Sequence, residues 1–143
     1  MAANSSAYVL DSFALLAYLA GEPGMIRVRT LLTEAAKGSL ALYLSVINLG
    51  EILYIIEREQ GLAAAQRTLA ALDQLPVKVL PAERRVVLSA ARIKARYAIS
   101  YADSFAVAAA QEQQAVLITG DPEFKPLVAD GLLQVEWLPR RAA

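Results

Sequence analysis

The chain has 143 residues, 57% of them hydrophobic and 20% charged, with fourteen basic side chains against fourteen acidic ones. This fits one globular domain, 1–143, and excludes general disorder and, with no run near the roughly 18 uninterrupted apolar residues required, a membrane span. The absence of cysteine and histidine excludes disulfides, thiol nucleophiles, Cys/His zinc sites, Ser-His-Asp triads and imidazole acid–base catalysis.

Residues 1–6 carry no basic side chain and read as a flexible tail leading straight into a strand, unlike a secretion signal, so the expected location is the cytoplasm. Tyr8-Val9-Leu10 is the first strand, followed by helices at 13–20 and 26–37 on either side of Gly21-Glu22-Pro23-Gly24. A second strand, Leu42-Tyr43-Leu44, precedes helices at 46–60 and 62–72, and a third, 77–80, precedes a helix at 83–95. A helix at 104–114 feeds a fourth strand at 116–119; a short helix near 122–128 and a strand at 133–138 follow. Strands separated by helices pair in parallel, which predicts a three-layer α/β/α sandwich with a central, mostly parallel five-stranded sheet.

In such a sheet, ligands gather beyond the carboxyl ends of the strands. Asp11 follows the first strand, Asp121 follows the fourth by one glycine, and Asp103 opens the helix that feeds the fourth. Each has an ordinary structural reading as well: Asp11 as a helix N-cap, Asp103 in the capping-box spacing Ser100-x-x-Asp103, and Asp121 as a cap before Pro122. Glu51 is different, because the helix carrying it is apolar nearly all round, and an isolated ionised carboxylate in an apolar setting costs several kcal/mol unless something meets it. Arg58, seven positions along the same face, is one candidate partner, a local surface exposure is the other structural reading, and Asn48 points the same way from three positions earlier. If the first strand is central, these acids converge. At ~4 Å and an effective dielectric of ~20, each ionised pair costs on the order of 4 kcal/mol, so the cluster holds protons or binds cations. With oxygen ligands alone, the cation expected is Mg²⁺ or Mn²⁺.

These residues resemble the PIN-domain family, and most of all its VapC group of toxin–antitoxin ribonucleases. The resemblance rests on four motifs in order, over nearly the whole chain: Tyr8-Val9-Leu10-Asp11-Ser12-Phe13, Ser45-Val46-Ile47-Asn48-Leu49-Gly50-Glu51, Tyr101-Ala102-Asp103-Ser104-Phe105 and Leu117-Ile118-Thr119-Gly120-Asp121-Pro122-Glu123-Phe124. It implies that Asp11, Glu51, Asp103 and Asp121 form a metal-binding acidic pocket, with Asn48, Ser12 and Thr119 in support. It further implies endonucleolytic cleavage of RNA leaving a 5′-phosphate, a homodimer, and a VapB-like antitoxin that blocks the pocket.

Zero net charge gives no global basic signature, but between Glu83 and Arg96 five bases, Arg84, Arg85, Arg92, Lys94 and Arg96, face a single acid. The stripe is a candidate phosphate contact, or else a solvated helix face. Tyr97 and Tyr101 are candidates for base stacking or for packing. A phospho-acceptor receiver, the competing small five-stranded α/β reading, requires adjacent acids after the first strand and a lysine after the last, and neither lies near Leu10 or Leu138. An RNA-processing role and a PIN fold kept as a non-catalytic binding module are further alternatives.

Overall fold

The computed structural model describes residues 4–140, which form the strands β1 (Asn4–Leu10), β2 (Ala41–Ser45), β3 (Lys78–Leu80), β4 (Ala115–Thr119) and β5 (Val135–Trp137). Between them run α1 (Ser12–Leu19), α2 (Met25–Ala36), α3 (Val46–Gln60), α4 (Leu62–Leu72), α5 (Arg84–Arg96), α6 (Tyr101–Gln113), a 3₁₀ turn (Pro122–Phe124) and α7 (Lys125–Ala129). The strands form one parallel sheet in the order β3-β2-β1-β4-β5, with β1 in the centre.

Alternation along the strands sorts apolar side chains to both faces, as burial between two helical layers demands. Leu10, Leu42, Leu44 and Ile118 point into a core completed by Leu15, Val28, Leu31 and Ile52 from α1, α2 and α3. Val9 and Leu117 point into the opposite core, with Val86, Ala90 and Ile93 of α5, Phe105 and Val107 of α6, and Leu127 of α7. Helix α6 is buried continuously from Ser104 to Ala110. Four of those residues are alanines, small enough to let the helix lie close against the sheet.

The structure departs from the sequence reading at several ends. Asn4, Ser5 and Ser6, expected in a loose tail, belong to β1: Asn4 pairs with Ala115 at the start of β4, and a register shift before Tyr8 absorbs the extra residues. The rest of that tail, residues 1–3, lies outside the described residues. Helix α6 starts at Tyr101 rather than 104, because the Ser100 hydroxyl accepts the Asp103 N–H and caps the helix earlier. Helix α3, expected to be buried all round, buries a narrow stripe of Asn48, Ile52 and Ile56, leaving Val46 and Tyr54 exposed.

One ion pair fastens the first helical layer to the far edge of the sheet. Arg27 of α2 donates from Nε at 2.6 Å and from Nη2 at 2.9 Å to the two carboxylate oxygens of Glu136 on β5, while its guanidinium lies 6.0 Å from the Tyr8 ring centroid. Both partners are more than a third exposed, so the pair is worth about 0.5–1 kcal/mol despite its bidentate geometry. Arg27→Met is expected to lower the stability in urea unfolding by that amount and to speed amide exchange in β5 selectively. A uniform change across the sheet would contradict a local fastening role.

Candidate active site

Three helices begin at the carboxyl edge of the central strands, and each contributes polar groups there. Asp11, the residue after β1, caps α1 by accepting the Ala14 N–H at 2.8 Å, and it is 1% exposed. Asn48, in the first turn of α3, is fully buried and donates from Nδ2 to the Ala102 carbonyl of α6 at 3.1 Å. Ser12 donates to the Asn48 carbonyl at 3.4 Å. The first turns of α1, α3 and α6 are thereby tied together, and their free amides and dipoles favour negative charge between them.

Within this frame the carboxylates of Asp103, Asp121 and Glu123 each bring an oxygen within 4.8 Å of the others. Asp121 caps the 3₁₀ turn by accepting the Glu123 N–H at 2.9 Å, and its own N–H is donated to the Thr119 hydroxyl oxygen at 3.0 Å. The buried Thr119 hydroxyl in turn donates to Asp11, so one side chain braces two of the acids. Glu51 is half-buried rather than stranded in the core; it lies outside the tight group, but its charge reaches Asp103. Arg58 does not meet it: the guanidinium lies over the Tyr54 ring at 5.1 Å, and no ion pair among the described residues joins Arg58 to Glu51. Capping and clustering, rivals in the sequence, coincide in Asp121, while the cap Asp11 feels the charges of Asp103 and Asp121.

Glu123 was not singled out from the sequence. The signal was there: Pro122 opens a tight turn directly after the strand-end aspartate, and an acid two residues beyond that aspartate returns to its side.

The basic stripe on α5 divides. Arg85 is engaged by Glu83 and, at 2.7 Å, by Glu112 in the last turn of α6. Since α5 and α6 run antiparallel, Arg84 and Arg85 lie at the end remote from Asp103, roughly 13 Å along α6 by helical rise. Lys94 and Arg96, exposed in the last turn of α5, lie at the near end, and Arg92 lies just before them. Tyr97 donates its hydroxyl to Asp130 at 2.7 Å, whereas Tyr101 is exposed and set edge-on to Phe105 at the mouth of the site.

Burial pushes the Asp11 carboxyl up to about 7, with Asp103 and Asp121 adding repulsion and hydrogen bonds from Thr119 and Ala14 opposing it. Burial also raises Asp103, to about 6, helped by Asp121 and Glu51 and opposed by Ser100. Asn48 Oδ1, buried with no hydrogen-bond partner, is a further acceptor left unmet. Anionic oxygens that are desolvated and crowded, beside an unmet acceptor and without nitrogen or sulfur donors, form a set suited to a hard divalent cation.

The raised carboxyls carry a stability sign. Between pH 3.8 and about 7 the folded protein keeps a proton on Asp11 that the unfolded chain has lost, so metal-free stability falls as pH rises through this window. For Asp11 the loss amounts to about 4 kcal/mol at 1.36 kcal/mol per pH unit. In EDTA, the melting temperature is expected to fall from pH 4 to pH 8, and Asp11→Asn, which keeps the cap, to flatten the slope and melt higher than wild type at pH 8. A wild-type stability that climbs over this range in urea titrations would contradict the assignment.

Comparison with known proteins bears on the family and the fold. A PIN domain family model matches residues 8–128. No curated protein sequence matches the chain. Among solved structures, the chain is similar to VapBC2 from Rickettsia felis bound to a promoter DNA fragment, at 15% identity and TM-score 0.71 over 93% of this chain and 99% of that one. It is also similar to VapBC-1 from nontypeable Haemophilus influenzae (21%, TM-score 0.66, covering 92% and 97%) and to the sarcin-ricin loop cleaving toxin VapC20 of Mycobacterium tuberculosis (21%, TM-score 0.64, covering 85% and 95%). At these identities the structural likeness speaks for the fold alone, while the family model spans most of the sequence: the chain belongs to the PIN domain family.

Proposed function

We propose that this protein is a metal-dependent endoribonuclease and the toxin of a VapBC-type pair, acting as a homodimer in the cytoplasm and restrained by a VapB-like antitoxin. The observation that carries the reading is the meeting of Asp103, Asp121 and Glu123 above the buried Asp11. Support for the partner comes from the similar structures named above, two of which are toxin–antitoxin complexes. No helix among the described residues is long and apolar enough to cross a membrane.

Asp11, Asp103, Asp121 and Glu123 would hold Mg²⁺ or Mn²⁺, with the charge of Glu51 reaching Asp103. A divalent cation bound there supplies positive charge against the phosphodiester and lowers the pKa of water, chemistry that a protein without histidine otherwise lacks. The chain's own residues do the rest. The Thr119 hydroxyl donates to Asp11, which favours its charged, ligating form. Asn48 and Ser12 hold the helix starts in register, so that the carboxylates need no rearrangement to receive the ligand. Lys94 and Arg96, at the near end of α5, hold flanking phosphates of the RNA, and exposed Tyr101 offers a face for a base.

Purified protein is expected to cleave RNA with Mg²⁺ or Mn²⁺ and not in EDTA. Asp103→Asn should reduce cleavage at least about a hundredfold while leaving circular dichroism unchanged. Lys94→Ala/Arg96→Ala should weaken RNA binding and flatten its dependence on salt. Metal-independent cleavage, or full activity of Asp103→Asn, would overturn the reading.

A further inference from the structure

Gly120 links Thr119 to Asp121, and it is buried. Its φ is not among the positive values that Gly21, Gly38, Gly61 and Gly131 adopt, so the backbone conformation does not demand glycine there. Space does. A Cβ built on Gly120 would lie 2.3 Å from Cε1 and 2.5 Å from Cζ of Phe13, well inside any tolerable contact. The Phe13 ring therefore rests directly on the backbone of residue 120.

Phe13 belongs to the first turn of α1, the turn that Asp11 caps through the Ala14 N–H. The buried carboxylate and the ring leave the same rigid turn, one into the acidic cluster and the other onto the link that carries Asp121. That link needs support, because glycine is the least restrained residue of a chain and Asp121 sits just beyond it. Phe13 is not itself fully buried: it also lines a groove of about 540 Å³ formed with α3 and α4.

We propose that Phe13 is a positioning residue for the metal site, its ring pressing on Gly120 so that Asp121 presents its carboxylate to the same ligand as Asp11. The proposal rests on the metal-dependent reading above. It assigns the aromatic side chain a function that filling the core does not require, and it explains why residue 120 lacks a side chain.

The test is a calorimetric Mn²⁺ titration of wild type, Phe13→Leu, Gly120→Ala and the double variant, with melting temperatures in EDTA recorded for each. Trp137, the single tryptophan, pairs with Thr119 across β4 and β5, and its fluorescence follows the same titration independently. Phe13→Leu is expected to weaken Mn²⁺ binding about tenfold, as the loss of a supporting contact does, with little change in melting temperature. Gly120→Ala should weaken it at least as much in the wild-type background and add almost nothing in the Phe13→Leu background, where no ring meets the new methyl. A wild-type constant for Phe13→Leu, or an equal loss from Gly120→Ala in both backgrounds, would overturn the positioning role alone. If Gly120→Ala does not fold, the Phe13→Leu constant decides by itself. Failure of the wild-type chain to bind Mn²⁺ would overturn the metal reading and this one with it.

Discussion

Asp11 stands at the end of the central strand with 1% of its surface exposed, and much of the neighbouring architecture answers to it. A carboxylate taken out of water must be protonated, hydrogen-bonded or met by positive charge. Here it receives the Ala14 N–H and the Thr119 hydroxyl, and those contacts fix the start of α1 and the end of β4. Burial nonetheless raises its carboxyl well above the ordinary range in the folded metal-free protein, and Asp103 and Asp121 add repulsion. The energy that burial costs is thus concentrated at one point on the carboxyl edge of the sheet, where a cation has most to gain.

The neighbouring contacts make sense in this light. Asn48 is buried and holds α6 to α3, with its side-chain oxygen left unmet. Thr119 uses its hydroxyl twice, as acceptor for Asp121 and donor to Asp11. Arg85, by contrast, is drawn into a local network with Glu83 and Glu112 that ties α5 to α6 far from the acids, so charge of the right sign on the right helix does not make every member of a stripe available.

The sequence alone carried the sheet and its acids further than their environment. Post-strand aspartates and alternating apolar strands were readable because both follow from short-range rules: a cap needs an acceptor, and a doubly covered strand needs apolar residues on both faces. Asp121 is both a cap and a member of the carboxylate group, and Asp11 is a cap within electrostatic reach of that group, combinations that single-residue reasoning presents as a choice. For Glu51, apolar residues all round α3 suggest deep burial with local exposure as the alternative; the helix lies over the sheet along a narrow stripe, leaving Glu51 half-buried and Tyr54 and Val46 in solvent. Glu123 escaped notice because its proximity depends on a 3₁₀ turn, whose tightness spacing alone does not reveal. The early start of β1 was hidden too, as Asn4, Ser5 and Ser6 have no strand preference and are held by backbone pairing to β4.

The placement of β1 in the middle of the sheet also governs when the molecule can become competent. Tyr8 pairs on one side with Leu42, which follows soon in the chain, and on the other with Val116, more than a hundred residues later. A chain growing from its N-terminus can therefore assemble the half containing β2 while the opposite edge of β1 stays open. Closure of so long a loop is a slow, late event. Because Asp121 arrives only with that closure, a molecule synthesised only as far as α6 contains Asp11, Glu51 and even Asp103 without their meeting place, and the harmful chemistry proposed for it waits on the last third of translation.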